Sequence, residues 1–176
     1  MFGDMHHAWL LGFRRNLFGY ACVLCSDTAS AEDLYQDAVL RAMSARSVPG
    51  EARSFRVWMF RLTRNLWIDT LRSRRHHDAW ADEVAGVDCD DRALTGGEEI
   101  TVNRLAVRQA FLLLSKAHRD VLALVDIGGF SYDETAELLD VPRGTVMSRI
   151  SRARAALARE LSDGQVVALP LKRGRV

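Results

Sequence analysis

Two stretches of this chain carry arginine at helical spacing, enough to hold a phosphate backbone. In the first, Arg143, Arg149, Arg152, Arg154 and Arg159 run along one segment, with no acid before Glu160. Val146, Ile150, Ala153 and Leu157 recur at three and four residues on another face. One face can pack while the other meets anions. That pattern suits a helix laid in a DNA major groove with phosphates beside it. The residues just before it complete a helix-turn-helix. Ser131 and Glu134 are spaced as a capping box. Ala136, Leu138 and Leu139 supply apolar positions. Pro142 disfavours helical geometry at Val141 and can itself open the next helix.

The second stretch runs from Arg53 to Arg75. Arg53, Arg56, Arg61, Arg64, Arg72, Arg74 and Arg75 stand there against Asp69 alone, and Trp58, Phe60 and Trp67 are interleaved with them. Cations can hold phosphates. Aromatic rings can take bases leaving the stack, at about 1–3 kcal/mol per stacked base. Aromatics at helical spacing also build cores. Phe60 and Trp67 are therefore expected to be mainly buried, with Trp58 open to either role.

The elements that must position these groups read as helices throughout. Trp9, Leu10, Phe13, Leu17 and Ala21 form one amphipathic repeat. A second helix is expected from Ser30, with Asp33 as its capping partner. Leu34, Ala38 and Ala42 make its packing stripe, and Glu32, Asp33, Gln36 and Asp37 its polar side. Ser47–Glu51 is a loop by its Pro-Gly pair. Phe55, Met59, Leu62 and Leu66 then trace a third helix, with Phe60, Trp67 and Leu71 as a second strip. Further helices are expected around Ile100–Leu114 and Arg119–Ile127, the latter ended by Gly128 and Gly129.

The chain has 176 residues and a formal net charge of +1, a near-neutral balance that hides strong segregation. Between Asp78 and Glu99 there are eight acids against Arg92 alone: Asp78, Asp82, Glu83, Asp88, Asp90, Asp91, Glu98 and Glu99. A basic, acidic, basic order implies two cationic surfaces around an acidic connector. The length allows one domain or two small ones. No apolar run reaches 18 residues, and the N-terminus does not read as a secretory signal, so a cytoplasmic location is expected. The cysteines are Cys22, Cys25 and Cys89. The Cys22–Cys25 pair has redox or half-zinc-site spacing, but its apolar setting favours small buried thiols. No metal is assigned, nor any cofactor. No Ser-His-Asp set, phosphate loop or paired catalytic carboxylates stands out, so the chain does not read as an enzyme.

Taken in this order, the segments resemble the extracytoplasmic-function class of bacterial RNA polymerase sigma factors. Residues 31–42, AEDLYQDAVLRA, resemble the helix by which that class grips the polymerase clamp. Residues 54–75 resemble its −10-reading and melting helix, and residues 102–161 its −35-reading domain. The resemblance implies an all-α chain of two small domains. A sigma2-like domain would span 1–77 and a sigma4-like domain 99–164, with an acidic flexible linker at 78–98 and a tail at 165–176. It implies polymerase contacts at Asp33, Gln36 and Asp37, which share one helix face. It implies −10 contacts at Trp58, Arg61, Arg64, Asn65, Arg72, Arg74 and Arg75. Asn65 would help form a pocket for a flipped base, walled by an Ala52–Phe55 loop. For the −35 element it implies Thr145, Ser148, Arg149 and Arg152, with Arg143 and Arg154 on phosphates. Core RNA polymerase (beta-prime clamp and beta subunit), promoter DNA and an anti-sigma factor are the implied partners. Residues 18–34 also resemble the general-stress-response group of the class.

Two departures stand out. Met147 occupies a DNA-facing position where the class usually has Lys or Arg. Leu114–Asp120, LSKAHRD, replaces the usual Leu-Pro start. A rival reading is a stand-alone helix-turn-helix regulator, with the N-terminal half as a dimerisation or sensing module.

Overall fold

The computed structural model describes residues 2–25, 27–77, 107 and 109–162, with residues 74–77 described by backbone alone. The expected linker and tail, Cys89, and the side chains of Arg74 and Arg75 lie outside the described residues. Among the described residues there are helices and no strand.

Three helices form the first module: α1 (Asp4–Leu24), α2 (Thr28–Ser44) and α3 (Ala52–His77). Leu10, Phe13, Leu17 and Tyr20 of α1 pack on Phe55, Met59 and Phe60 of α3. Ala31, Ala38 and Ala42 are fully buried, and such small side chains let α2 lie close to its neighbours. Phe60 and Trp67 are buried as expected. So is Thr63, whose hydroxyl donates to the Met59 carbonyl at 2.9 Å. Helix α2 starts earlier than its sequence suggests. Asp27 is the N-cap, and its carboxylate accepts from the Ser30 amide at 2.8 Å and the Ser30 hydroxyl at 2.7 Å. Aspartate caps as well as serine, so the upstream acid takes the role and Ser30 falls inside the helix.

The second module comprises α4 (Lys116–Leu122), α5 (Tyr132–Leu139) and α6 (Arg143–Ser162). Ser115 caps α4, which answers the unusual LSKAHRD start. The single expected helix across Arg119–Ile127 is in fact α4 followed by a π-helical turn at Ala123–Ile127. Gly129 has φ +68°, a region open to glycine at little cost. At Gly128 an added Cβ would lie 2.5 Å from the Leu124 carbonyl oxygen. The Ser131–Glu134 capping box is present in both directions. Asp140 ends α5 in the left-handed region at φ 53°. Pro142 stands just before α6 rather than opening it, and its carbonyl accepts from the Thr145 amide at 2.9 Å. Leu114, Val121, Leu122, Val146, Ile150 and Ala153 form this module's core.

The modules are packed together. Leu124, Phe130 and Leu138 of the second belong to the same buried cluster as Phe13 and Phe60 of the first. The Phe60 and Phe130 rings meet edge to face, 4.7 Å between centroids. Asn16 donates its side-chain amide to the Ile127 carbonyl at 2.6 Å. Gly19 permits this approach, since a Cβ there would lie 3.1 Å from Ile127 Cγ2.

Candidate nucleic-acid interface

The arginines of α3 form a row along the seam between the modules. Arg53 pairs with Glu134 at 2.7 Å. Arg56 donates to the Gly128 carbonyl and lies over the Phe130 ring, 4.7 Å from its centroid. Arg61 pairs with Glu137 at 2.9 Å. Arg64 is half-buried within electrostatic reach of Asp120. Burial pushes the Asp120 carboxyl above its ordinary value, and Arg64, Lys116, Arg119 and Arg149 pull it back only in part. Burial likewise pushes up the Tyr20 phenol in the same region, aided by the Asp120 charge and opposed by Arg64.

Further along α3, Asn65 is exposed, and the exposed Arg72 pairs with Asp69 at 3.6 Å. Trp58 is half-buried, its ring stacked 6.0 Å from that of Phe55. Ala52–Phe55 is not a loop. It is the first turn of α3, started by the Phe55 amide donating to the Glu51 carbonyl at 2.8 Å. The irregular segment lies before it, at residues 45–51. His6 of α1 holds that segment: its Nδ1 accepts from the Gly3 amide at 3.2 Å, leaving Nε2–H to donate to the Pro49 carbonyl at 3.1 Å. Sequence reasoning missed His6, because nothing in the local pattern marks it as facing a loop more than 40 residues away. Beside it, Trp9, Asn16, Arg53 and Arg56 line an open cleft of about 550 Å³.

On α6 the cations divide. Arg143 pairs with Asp133 at 3.1 Å and Arg154 with Asp126 at 2.6 Å, both within the second module. Between them lie Thr145, Ser148, Arg149 and Arg152: Ser148 and Arg152 are exposed, while Thr145 and Arg149 are half-buried on the helix that buries Val146, Ile150 and Ala153. Arg152 is exposed and has no ion pair among the described residues. The Ser148 hydroxyl donates to the Thr145 carbonyl at 3.0 Å. Met147 is 46% exposed on this outer surface.

On α2, Asp33, Gln36 and Asp37 are all exposed, opposite the buried Leu34 and Ala38. Two residues not singled out from sequence extend this surface: Leu40 and Met43 are 62% and 55% exposed. Cys25 is buried and Cys22 half-buried, in keeping with small packed thiols.

The fold is therefore that of an all-helical protein with a helix-turn-helix module and two arginine-bearing helices. Comparisons with known proteins narrow this further. The family "Sigma-70 region 2" matches residues 9–77, and "Sigma-70, region 4" matches residues 104–157. The chain is 33% identical over 149 residues to the ECF RNA polymerase sigma factor SigL of Mycobacterium tuberculosis, covering 84% of this chain and 83% of SigL. It is 32% identical over 146 residues to the ECF sigma factor SigW of Bacillus subtilis, covering 76% of each. Its fold matches that of the sigma factor RpoE of Bartonella quintana, solved with the anti-sigma factor NepR. The TM-score is 0.76 at 25% identity, over 93% of this chain and 100% of that one. The chain belongs to the ECF RNA polymerase sigma factors of the sigma-70 family, and it is an alternative sigma factor.

Proposed function

We propose that this sigma factor binds core RNA polymerase through Asp33, Gln36 and Asp37 on α2 and directs it to a subset of promoters. The residue range 1–77 acts as the sigma2-like unit. Its α3 reads and helps melt the −10 element, with Trp58, Arg61, Arg64, Asn65, Arg72, Arg74 and Arg75 as the contact set. The range 99–164 acts as the sigma4-like unit, and 78–98 joins the two as an acidic linker. Thr145, Ser148, Arg149 and Arg152 read the −35 element while Arg143 and Arg154 anchor phosphates. Arginine can pair bidentately with guanine, and hydroxyls and further arginines fix the register on the backbone. The polymerase performs the chemistry.

The observation that carries this reading is the pairing of exposed polar faces with buried stripes on the same helices. Asp33, Gln36 and Asp37 stand exposed on the helix that buries Leu34 and Ala38, and Ser148 and Arg152 stand exposed on the helix that buries Val146 and Ile150. Such faces are held rigidly and remain open to a partner. Control by an anti-sigma factor is supported by the likeness to RpoE, whose structure was solved with NepR. A cytoplasmic site of action follows from the reaction. Among the described residues no helix is long and apolar enough to cross a membrane.

The test is in vitro transcription with core polymerase on a fragmented genomic library, with and without the protein. Discrete starts that depend on the protein are expected, and they give both promoter elements together. Absence of new starts together with absence of core binding would overturn the proposal in favour of a stand-alone regulator.

A further inference from the structure

Helix α6 presents an outer ridge that carries no charge. At about 3.6 residues per turn, Gly144, Met147, Ser148, Ser151 and Ala155 fall along one line, opposite the buried Val146, Ile150 and Ala153. All five are exposed. The cations stand on the two flanks of this ridge. Arg143 and Arg154 share one flank, tied back at 3.1 and 2.6 Å to Asp133 and Asp126. Arg149 and Arg152 share the other with Thr145. Groups suited to phosphates thus frame a strip suited to base edges.

Met147 is the one large apolar side chain on the ridge, and it is 46% exposed. Side chains on a helix lean toward its N-terminus, so Met147 leans over the turn that holds Gly144. Glycine leaves that space clear: a Cβ built there meets nothing within 4 Å. Beside Met147, the Ser148 hydroxyl donates to the Thr145 carbonyl at 3.0 Å, so toward a partner it is an acceptor.

We infer that Met147 is a specificity-determining residue that reads the methyl group of a thymine in the −35 element. The inference rests on the −35 role proposed for α6. In the major groove the base edges show hydrogen-bonding groups, and the one apolar group among them is the C5-methyl of thymine. A thioether side chain pressed against a donor or acceptor displaces its water and returns no hydrogen bond, which costs free energy. Against the methyl, both apolar surfaces leave water and association is favoured. The unbranched methionine chain can adjust its rotamers to reach the methyl. At this place α6 therefore selects an A·T pair with its thymine toward Met147, and it disfavours bases that show only polar groups.

The test uses the full chain assembled with core polymerase, on a promoter mapped by the transcription experiment. Each thymine of the −35 element, on either strand, is replaced in turn by deoxyuridine, which removes the methyl and keeps the pairing. Promoter binding is measured for the parent and for Met147→Ala, Met147→Leu and Arg152→Ala. One thymine is expected to stand out in the parent, where loss of its methyl weakens binding about three- to fivefold, the worth of one buried methyl group. Met147→Ala should weaken binding to the thymine promoter by a similar factor and be indifferent to uracil at that place. Met147→Leu, which keeps an apolar side chain of similar volume, should retain the preference for thymine.

A flat scan in the parent, or an element with no thymine on either strand, would overturn the methyl contact. If Arg152→Ala still weakens binding in that case, −35 reading by α6 stands without it. A thymine whose methyl matters equally to the parent and to Met147→Ala has another reader, and that result would also overturn the inference. A flat scan together with no effect of Arg152→Ala would remove the −35 role of α6 as well.

Discussion

Helices α3 and α6 both carry a row of arginines beside an apolar stripe, yet the structure uses them differently. On α3 the cations reach across to the other module, to Glu134, Glu137 and the Gly128 carbonyl. On α6 the pairs stay inside the module and sit toward its flanks, at Asp133 and Asp126. In the middle of α6, Ser148 and Arg152 are left open, while Arg149 is half-buried within electrostatic reach of Asp120 of the same module. A helix buried on two sides commits its charges to whatever covers it. A helix at the edge of its module pairs only with near neighbours and presents the rest to solvent. The two proposed DNA-reading surfaces therefore stand in different states of readiness.

The largest effect that separates the two helices is one of packing. Phe60 is fully buried among Phe13, Tyr20 and Phe130, so Phe60→Ala is expected to cost about 3–5 kcal/mol in thermal or denaturant unfolding. Met147→Ala on the open face of α6 should stay within about 0.5 kcal/mol of the parent. Equal losses would erase the contrast between a covered helix and an edge helix.

Function gives the next contrast. Arg149→Ala is expected to lower initiation from a −35-dependent promoter about tenfold, in line with the worth of one base contact, while core binding stays unchanged. Undiminished use of a cognate promoter removes Arg149 from the reading face. Gln36→Ala with Asp37→Ala should act in the reverse sense, weakening core polymerase binding several-fold in a pull-down titration while leaving helix content intact. Intact binding would take the clamp face away from α2.

The smallest effect is electrostatic and belongs to the seam. Burial alone would raise the Glu134 carboxyl, but hydrogen bonds from Ser131 and Arg53 and the Arg53 charge outweigh it and hold it below its ordinary value of 4.5. Its stabilising share is thus fully present above that value and is lost as pH falls through the lower folded one. Asp120 has the opposite sign: its raised carboxyl disfavours the folded form at high pH, and protonation relieves this as pH falls. Glu134→Gln should therefore flatten the loss of stability below about pH 4.5 without removing the Asp120 contribution, as read from melting temperature against pH. An unchanged acid limb would show that the Arg53–Glu134 pair contributes nothing to the fold.

Much of this was legible in the residues. The helix-turn-helix followed from the Ser131–Glu134 box, the Pro142 break and the Val146–Ile150–Ala153 stripe, because capping and periodicity are local properties of a chain. The burial of Phe60 and Trp67 and of the Ala38–Ala42 stripe followed from spacing in the same way. Cap choice was less so: Asp27 and Ser30 are both competent, and the start of α2 depended on which one the neighbouring chain allowed. The π-helical turn after α4 was not legible at all. The tight approach at Gly128, where an added Cβ would meet the Leu124 carbonyl, is seen only in three dimensions.

By itself the sequence determined the helical class, the order of the elements, which faces are apolar and where the cations cluster. Each depends on residues within a few turns of one another. Only the tertiary structure decided what those cations meet. Arg53 and Glu134 are 81 residues apart, and Asn16 and Ile127 are 111 apart. No local rule relates such pairs. They come together because the Phe60–Phe130 packing and the bare backbone at Gly19 let one module settle against the other, and the charges on both then find the partners that this settling provides.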